Sequence, residues 1–268
     1  MNNPAIRPLA VVTGASSGIG FELAKQFAQH DFDLLVTAKG SDIDQAAQAF
    51  RGLGAAVQTV QANLADYDGV EALYKAIKAA GRPVEAIAIN AGVGVGGEFA
   101  RETDLKDELN LINLNVVSTV HLAKRIVKDM LERHQGRILF TSSIAALMPG
   151  PYEAVYSASK AFIQSFAKAL RNELKDTGVS VTALLPGATE TNFFHRAEMD
   201  DTKVGSDKKD DPADVAQEGF EALMAGKEEV IAGSLKTKLQ ANLTKVLPDS
   251  VNAEQHRQMS EPGSQAKK

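Results

Sequence analysis

The sequence predicts an α/β fold, a doubly wound and mostly parallel sheet with helices on both faces. Short runs rich in Val, Ile and Leu alternate with longer stretches of helical period along most of the 268 residues. Most of the runs are apolar instead of alternating, as strands buried under two helix layers are. Strands separated by helices pair in parallel through right-handed crossovers, which winds the sheet in both directions. In order, residues 9–13 read as a buried strand, and residues 18–30 as a helix with Ile19, Leu23 and Phe27 on one face. A strand at 32–38 and a helix at about 42–53 follow. Further strands are expected at 56–61, 84–90, 137–142 and 179–185, with helices at 66–80, 105–133 and 154–175 between them. Pro212 opens a later helix.

No internal repeat or linker interrupts this pattern, so residues 1–251 are expected to form a single domain, with 252–268 as a polar, frayed tail. The polar segment 193–211 carries Asp200-Asp201 and Lys208-Lys209-Asp210-Asp211 between a strand end and a helix. It is expected to be a mobile substrate loop, because ligands in such folds sit beyond the strand ends. The competing reading is a solvated loop. Residues Leu235, Leu239, Leu243, Val246 and Leu247 make a helical stripe with Lys236, Lys238 and Lys245 mostly off it. Packing on the body or on a partner subunit is favoured over a membrane-surface helix.

Composition closes off several functions. There is no cysteine, hence no disulfide, thiolate metal site or cysteine nucleophile. The five histidines lack metal-ligand spacing, so no metal is expected. A net charge of −5 offers no general attraction to nucleic acid. No apolar run approaches the ~18 residues of a membrane span, and the N-terminal residues lack a signal-peptide apolar region. A cytoplasmic protein is expected.

The chemistry begins at Thr13-Gly14-Ala15-Ser16-Ser17-Gly18-Ile19-Gly20, between the first strand and first helix. Glycines there allow a tight turn and the close approach of a pyrophosphate to the helix N-terminus. The spacing is Gly-x-x-x-Gly-x-Gly, unlike the common Gly-x-Gly-x-x-Gly pattern. A second glycine run at 92–97 opens no helix and reads as a flexible loop at the sheet edge. An NAD enzyme needs a carboxylate near the ribose 2′-hydroxyl at the end of the second strand, whereas a 2′-phosphate needs a cation. The strand ends Val36-Thr37-Ala38-Lys39, with no acid and with Lys39 in place, so NADP(H) is expected over NAD(H). Asp42 reads as a helix cap.

Ser143 ends the fifth strand, and Tyr156 and Lys160 follow at i and i+4 on one helix face. A free phenol has a pKa near ~10, too high for an efficient proton shuttle at neutral pH. A neighbouring cation lowers it, and Ser143 is suited to hydrogen-bond a carbonyl or alkoxide oxygen.

These segments together resemble the short-chain dehydrogenase/reductase family, in its short single-domain, Rossmann-type branch. The resemblance covers residues 9–233. It rests on Thr13-Gly14-x-x-x-Gly18-x-Gly20, Asn90-Ala91-Gly92, Asn115, Ser143, Tyr156-x-x-x-Lys160 and Pro186-Gly187-x-x-x-Thr191. It implies Tyr156 as general acid/base, Lys160 on the nicotinamide ribose and lowering the tyrosine pKa, Ser143 orienting the substrate oxygen, and Asn115 supporting a proton relay. It implies a cofactor site made of Gly14, Ser16, Ser17, Gly18, Ile19, Gly20, Lys39, Asn63, Leu64, Asn90, Ala91, Gly92, Tyr156, Lys160, Pro186, Gly187, Thr189 and Thr191. Asn63 departs from the family's usual aspartate on the adenine amine, and its carbonyl can still accept that bond. The resemblance also implies a homodimer or homotetramer formed through the long helices near 109–133 and 154–175.

The implied reaction is hydride transfer between a nicotinamide and a carbonyl/alcohol pair. Val93, Ala145, Leu147, Met148, Tyr152, Phe193 and Phe194 are expected around the substrate, with Ser143 at its oxygen. Mostly apolar, they suit a hydrophobic ketone or aldehyde; no cationic clamp for a carboxylate is evident, with Arg196 in the loop as the candidate. The competing reading is a non-catalytic NADP-binding sensor or scaffold. An epimerase would carry a differently spaced glycine turn, and a serine hydrolase a Gly-x-Ser-x-Gly elbow absent here.

Overall fold

The structure, a computed structural model, describes residues 7–265. Seven strands build one sheet: β1 (Leu9–Thr13), β2 (Asp33–Ala38), β3 (Val57–Gln61), β4 (Val84–Ile89), β5 (Gly136–Thr141), β6 (Val179–Pro186) and β7 (Glu229–Ala232). Their spatial order is β3-β2-β1-β4-β5-β6-β7, and every neighbouring pair is parallel. The strand order reverses between β1 and β4, which opens a crevice beyond their carboxyl ends.

The helices are α1 (Gly18–Gln29), α2 (Asp42–Gly52), α3 (Tyr67–Ala79), α4 (Leu105–Ile112), α5 (Ser118–Arg133), α6 (Ala154–Glu173), α7 (Phe193–Arg196), α8 (Lys203–Ser206), α9 (Pro212–Met224), α10 (Leu235–Thr244) and α11 (Asp249–Ser260). Strand residues alternate between two cores, as a period of two requires. Leu9, Val11 and Leu35 join Leu73 of α3, Ile126 of α5 and Ile163 of α6. Ala10, Val12, Leu34 and Val36 join Leu23 and Phe27 of α1, Phe50 of α2 and Phe220 of α9. Each fully buried side chain of this size contributes about 1.5–3 kcal/mol, which fixes the strand ends that carry the site.

Several expectations need correction. The helix expected at 105–133 is broken by a π-helical turn at Asn113–Val117. Strand β7 is not among the expected strands; with four residues at the sheet edge, three partly buried and Ala232 buried, it is too short to show a pattern. The tail expected to fray from residue 252 instead begins inside α11, where Asn252, His256 and Ser260 are buried; residues 266–268 lie outside the described ones. The segment 193–211 folds into α7 and α8 around its own small core of Phe194, Ala197 and Met199. The glycine run 92–97 leaves the sheet's centre, not its edge. It packs tightly: a Cβ on Gly94 would lie 2.4 Å from Phe193 Cζ, and one on Gly96 2.3 Å from Met199 Cγ.

Helix α10 turns its small and polar face inward. Thr237, Ala241 and Thr244 are buried, while Leu235, Leu239 and Leu243 are exposed, so the leucine stripe does not pack on the body of the chain. The reason is Asp210, whose carboxylate accepts from Thr237 Oγ1 (2.6 Å) and from Ser234 N (3.1 Å), drawing that face in. No helix among the described residues is long and apolar enough to cross a membrane.

Candidate active site

The crevice at the strand ends is a cavity of about 1060 Å³. Its floor is the glycine turn. Gly14 and Gly18 adopt φ of +67° and +56°, a region that strains residues bearing a Cβ. A Cβ on Gly20 would stand 2.2 Å from Gly14 O, so the helix and turn meet only through a glycine. Ser17 caps α1 without a side-chain hydrogen bond, and no acid lies in the first turn. The helix therefore presents unsatisfied backbone N–H groups to the cavity, as a bound phosphate requires.

Asn90 ties the floor together. Its N–H donates to Thr13 Oγ1 (2.9 Å), its Nδ2 to Thr13 O (3.2 Å), and its Oδ1 accepts from Thr141 Oγ1 (3.0 Å). One side chain thus couples the ends of β1, β4 and β5. Ser16, Ile19, Lys39, Asn63, Leu64, Ala91, Gly92, Pro186, Gly187, Thr189 and Thr191 all line the same cavity. Lys39 is exposed, and its ammonium enters no ion pair among the described residues. Asn63 spends Nδ2 on Asp66 Oδ2 (2.7 Å), which steadies the start of α3. Asp42 is the first residue of α2, not its cap, which is Ser41.

Ser143, Tyr156 and Lys160 converge on one wall. Ser143 sits at the end of β5, where its Oγ accepts from Ala145 N (3.1 Å). Lys160 Nζ donates to Thr141 O (3.0 Å) and lies 5.6 Å from the Tyr156 ring centroid. Ser142 Oγ donates to Lys160 O (2.8 Å), locking α6 to the strand. Burial pushes the Lys160 ammonium down to about 8. Burial, and then the charge of Glu153, hold the Tyr156 phenol above its ordinary range, with the Ser143 hydroxyl opposing. The lowering expected from Lys160 is not found: burial disfavours both charged forms, and Ser143 alone opposes the rise of the phenol.

Asn115 stands behind the wall in the π-helical turn. Its Oδ1 accepts from Val93 N (3.0 Å), and its Nδ2 donates to Val93 O (3.0 Å) and Ser159 Oγ (3.1 Å). A Cβ on Gly92 would lie 3.2 Å from Asn115 Oδ1 and 3.3 Å from Lys160 Nζ, so Gly92 spaces the two.

Of the expected substrate contacts, Met148, Phe193 and Phe194 line the cavity, with Val93, Ala145 and Arg196. The Phe193 ring lies 5.2 Å from that of Tyr156. Leu147 instead packs against the core beneath the sheet. Tyr152 is turned away in a left-handed conformation (φ +65°). Its hydroxyl donates to Glu261 Oε1 (2.9 Å) and accepts from Arg257 Nη2 (2.9 Å). Their place on the wall is taken by Glu153 and, from α11, His256, Met259 and Ser260, which sequence reasoning missed. The spacing of Asn252, His256 and Ser260 at i, i+4 and i+8 was the available signal, a helical stripe written in polar residues.

The sequence model of the short chain dehydrogenase family matches residues 8–202. The chain belongs to the short-chain dehydrogenase/reductase family. An uncharacterized short-chain type dehydrogenase/reductase of Sinorhizobium fredii is 33% identical over 189 residues, covering 70% of this chain and 73% of that protein. Among solved structures, a short-chain dehydrogenase from Sphingobium yanoikuyae in complex with NADPH superposes with a TM-score of 0.78 at 28% identity, over 84% of this chain and 87% of that one. A family member from Burkholderia phymatum in complex with NAD shares the fold, with a TM-score of 0.80 at 23% identity over 88% and 92% of the two chains. Members of the family are oxidoreductases that act on alcohol and carbonyl groups with a nicotinamide cofactor, and the donors around this cavity suit one.

Proposed function

We propose that this protein is an NADP(H)-preferring oxidoreductase that interconverts a hydrophobic ketone or aldehyde and its alcohol. The observation that carries the reading is the convergence of Ser143, Tyr156 and Lys160 on a cavity whose floor is an uncapped helix N-terminus behind a glycine turn. The bound nicotinamide supplies the hydride.

The chain does the rest. Backbone N–H groups at Gly18–Gly20 and the hydroxyls of Ser16 and Ser17 hold the pyrophosphate. Lys39, exposed and in no ion pair among the described residues, meets a 2′-phosphate. Asn63, Leu64 and the Asn90-Ala91-Gly92 segment border the adenosine, and Pro186, Gly187, Thr189 and Thr191 the nicotinamide. Ser143 fixes the substrate oxygen by hydrogen bonding. Tyr156, protonated because burial disfavours its anion, gives that oxygen a proton during reduction and recovers one during oxidation. Lys160 holds the cofactor ribose, and Asn115 fixes the Val93 backbone that borders the site. Met148, Phe193 and Phe194 exclude water from the reacting carbon.

We further propose a homodimer or homotetramer through α4, α5 and α6. Leu109, Val120 and Phe162 are exposed on these helices and Val117 on the π-helical turn between α4 and α5, an apolar surface that association would cover. The deciding experiment follows cofactor absorbance with a panel of ketones and aldehydes, NADPH and NADH side by side. Turnover that vanishes in Tyr156→Phe supports the mechanism. Undiminished turnover in that variant refutes it, and faster turnover with NADH refutes the cofactor preference.

A further inference from the structure

The wall beside Tyr156 carries a carboxyl group that the mechanism above does not use. Glu153 immediately precedes α6, lines the cavity and is only 6% exposed. Its Oε2 accepts from Ser260 Oγ (3.1 Å) and faces His256 Nε2 (3.4 Å), both from α11. His256 Nδ1 donates to Pro151 O (3.1 Å), which places its proton on that nitrogen and leaves Nε2 an acceptor in the neutral ring. Burial lowers the His256 pKa, so the ring is biased to that neutral form. Among the described residues Glu153 Oε1 makes no hydrogen bond and neither Lys nor Arg pairs with the carboxyl. An apolar residue here would pack at no such cost, and carboxyls kept in this state mark binding sites.

We propose that Glu153, positioned by Ser260 and His256, is a substrate-recognition group that binds a hydroxyl of the substrate while Ser143 and Tyr156 hold its carbonyl. The preferred substrates are hydroxy-ketones and the corresponding diols. This rests on the carbonyl-reductase reading above. A carboxylate on the substrate would be repelled by Glu153 once ionised. A substrate ammonium would share the pocket with the buried Lys160 cation. A hydroxyl suits the carboxyl in both protonation states, donating to the anion and pairing in either sense with the acid. The remaining lining of Val93, Met148, Phe193 and Met259 accepts an apolar body around that polar point.

The test uses matched pairs with NADPH: acetophenone against 2-hydroxyacetophenone, and cyclohexanone against 2-hydroxycyclohexanone. The quantity read is the ratio of kcat/KM within each pair, for the wild type, Glu153→Leu, Glu153→Gln and Ser260→Ala. Because both members meet the same protein, a variant that merely displaces α11 lowers both rates and leaves the ratio unmoved. The ratio is expected to fall about tenfold or more in Glu153→Leu, largely through KM. It should fall partway in Ser260→Ala and stay within about threefold of wild type in Glu153→Gln, which restores a hydrogen-bonding group. An unchanged ratio in Glu153→Leu overturns the proposal while leaving the reductase reading intact. A wild type that reduces neither member of any pair overturns both.

Discussion

Replacing Glu153 by Gln is expected to stabilise the ligand-free protein at neutral pH and to leave it unchanged in acid. Burial pushes this carboxyl from 4.5 up to about 7, with the Ser260 hydrogen bond only partly opposing. At about 1.4 kcal/mol per unit, ionising it in place costs about 3 kcal/mol. The folded pKa lies above the unfolded one, so the folded state holds more protons between the two values. The stability tied to this group is therefore complete below about 4.5 and lost as pH rises to about 7. His256, in contact with the same carboxyl, works in the opposite direction, since its folded pKa is lowered from 6.5 and it loses stability as pH falls. The difference between wild type and Glu153→Gln cancels most of that term. Urea unfolding at half-unit steps from pH 5 to 8 measures it. The variant's advantage should grow by about 2.5 kcal/mol across the range, most of it before pH 7.5. A difference that stays flat with pH refutes the assignment of a buried carboxyl held above its ordinary range.

Other expectations are equally direct. Tyr156→Phe should cut turnover by roughly 10²–10⁴-fold while cofactor affinity, read by NADPH fluorescence, stays within about threefold. Lys39→Asp should reverse the NADPH/NADH preference in kcat/KM by roughly tenfold or more, since it swaps a cation for the acid that a ribose hydroxyl favours; an unchanged preference removes Lys39 from the cofactor site. Gly20→Ala places a methyl group 2.2 Å from Gly14 O. It should lower stability by about 1–3 kcal/mol in denaturant melts and abolish cofactor binding. Gly94→Ala drives a methyl group to 2.4 Å from Phe193 Cζ. Its effect should fall on substrate KM several-fold more than on cofactor affinity, and equal effects on both would sink the idea that Gly94 seats that ring.

The central strands were legible because burial on two faces leaves a nearly continuous apolar run, as in Leu9-Ala-Val-Val of β1, whereas the edge strand β3 showed instead Val57 and Val60 interspersed with polar residues. The glycine turn, Asn90, Ser143, Tyr156 and Lys160 were legible because close backbone approach and proton chemistry each tolerate few side chains. What escaped has an equally physical cause. The π-helical turn at Asn113–Val117 keeps helical composition and changes only the hydrogen-bond period. Helix α11 buries Asn252, His256 and Ser260, so hydrophobic periodicity has nothing to detect. Tyr152 sits in sequence among residues expected around the substrate, yet its positive φ turns it toward Arg257 and Glu261, a reversal set by contacts about a hundred residues away. The glycine run at 92–97 reads as slack in one dimension, whereas its missing side chains are what let Phe193 and Met199 come close.

The bond from Ser260 to Glu153 spans 107 residues, and that from His256 to Pro151 spans 105. Contacts this distant in sequence pay their loop-closure entropy late and form after local structure. A refolding chain should thus recover its helical signal first and its substrate selectivity afterwards, with the interval between them timing the arrival of α11. The sheet sets where the chemistry happens, and the final helix sets when the protein becomes selective.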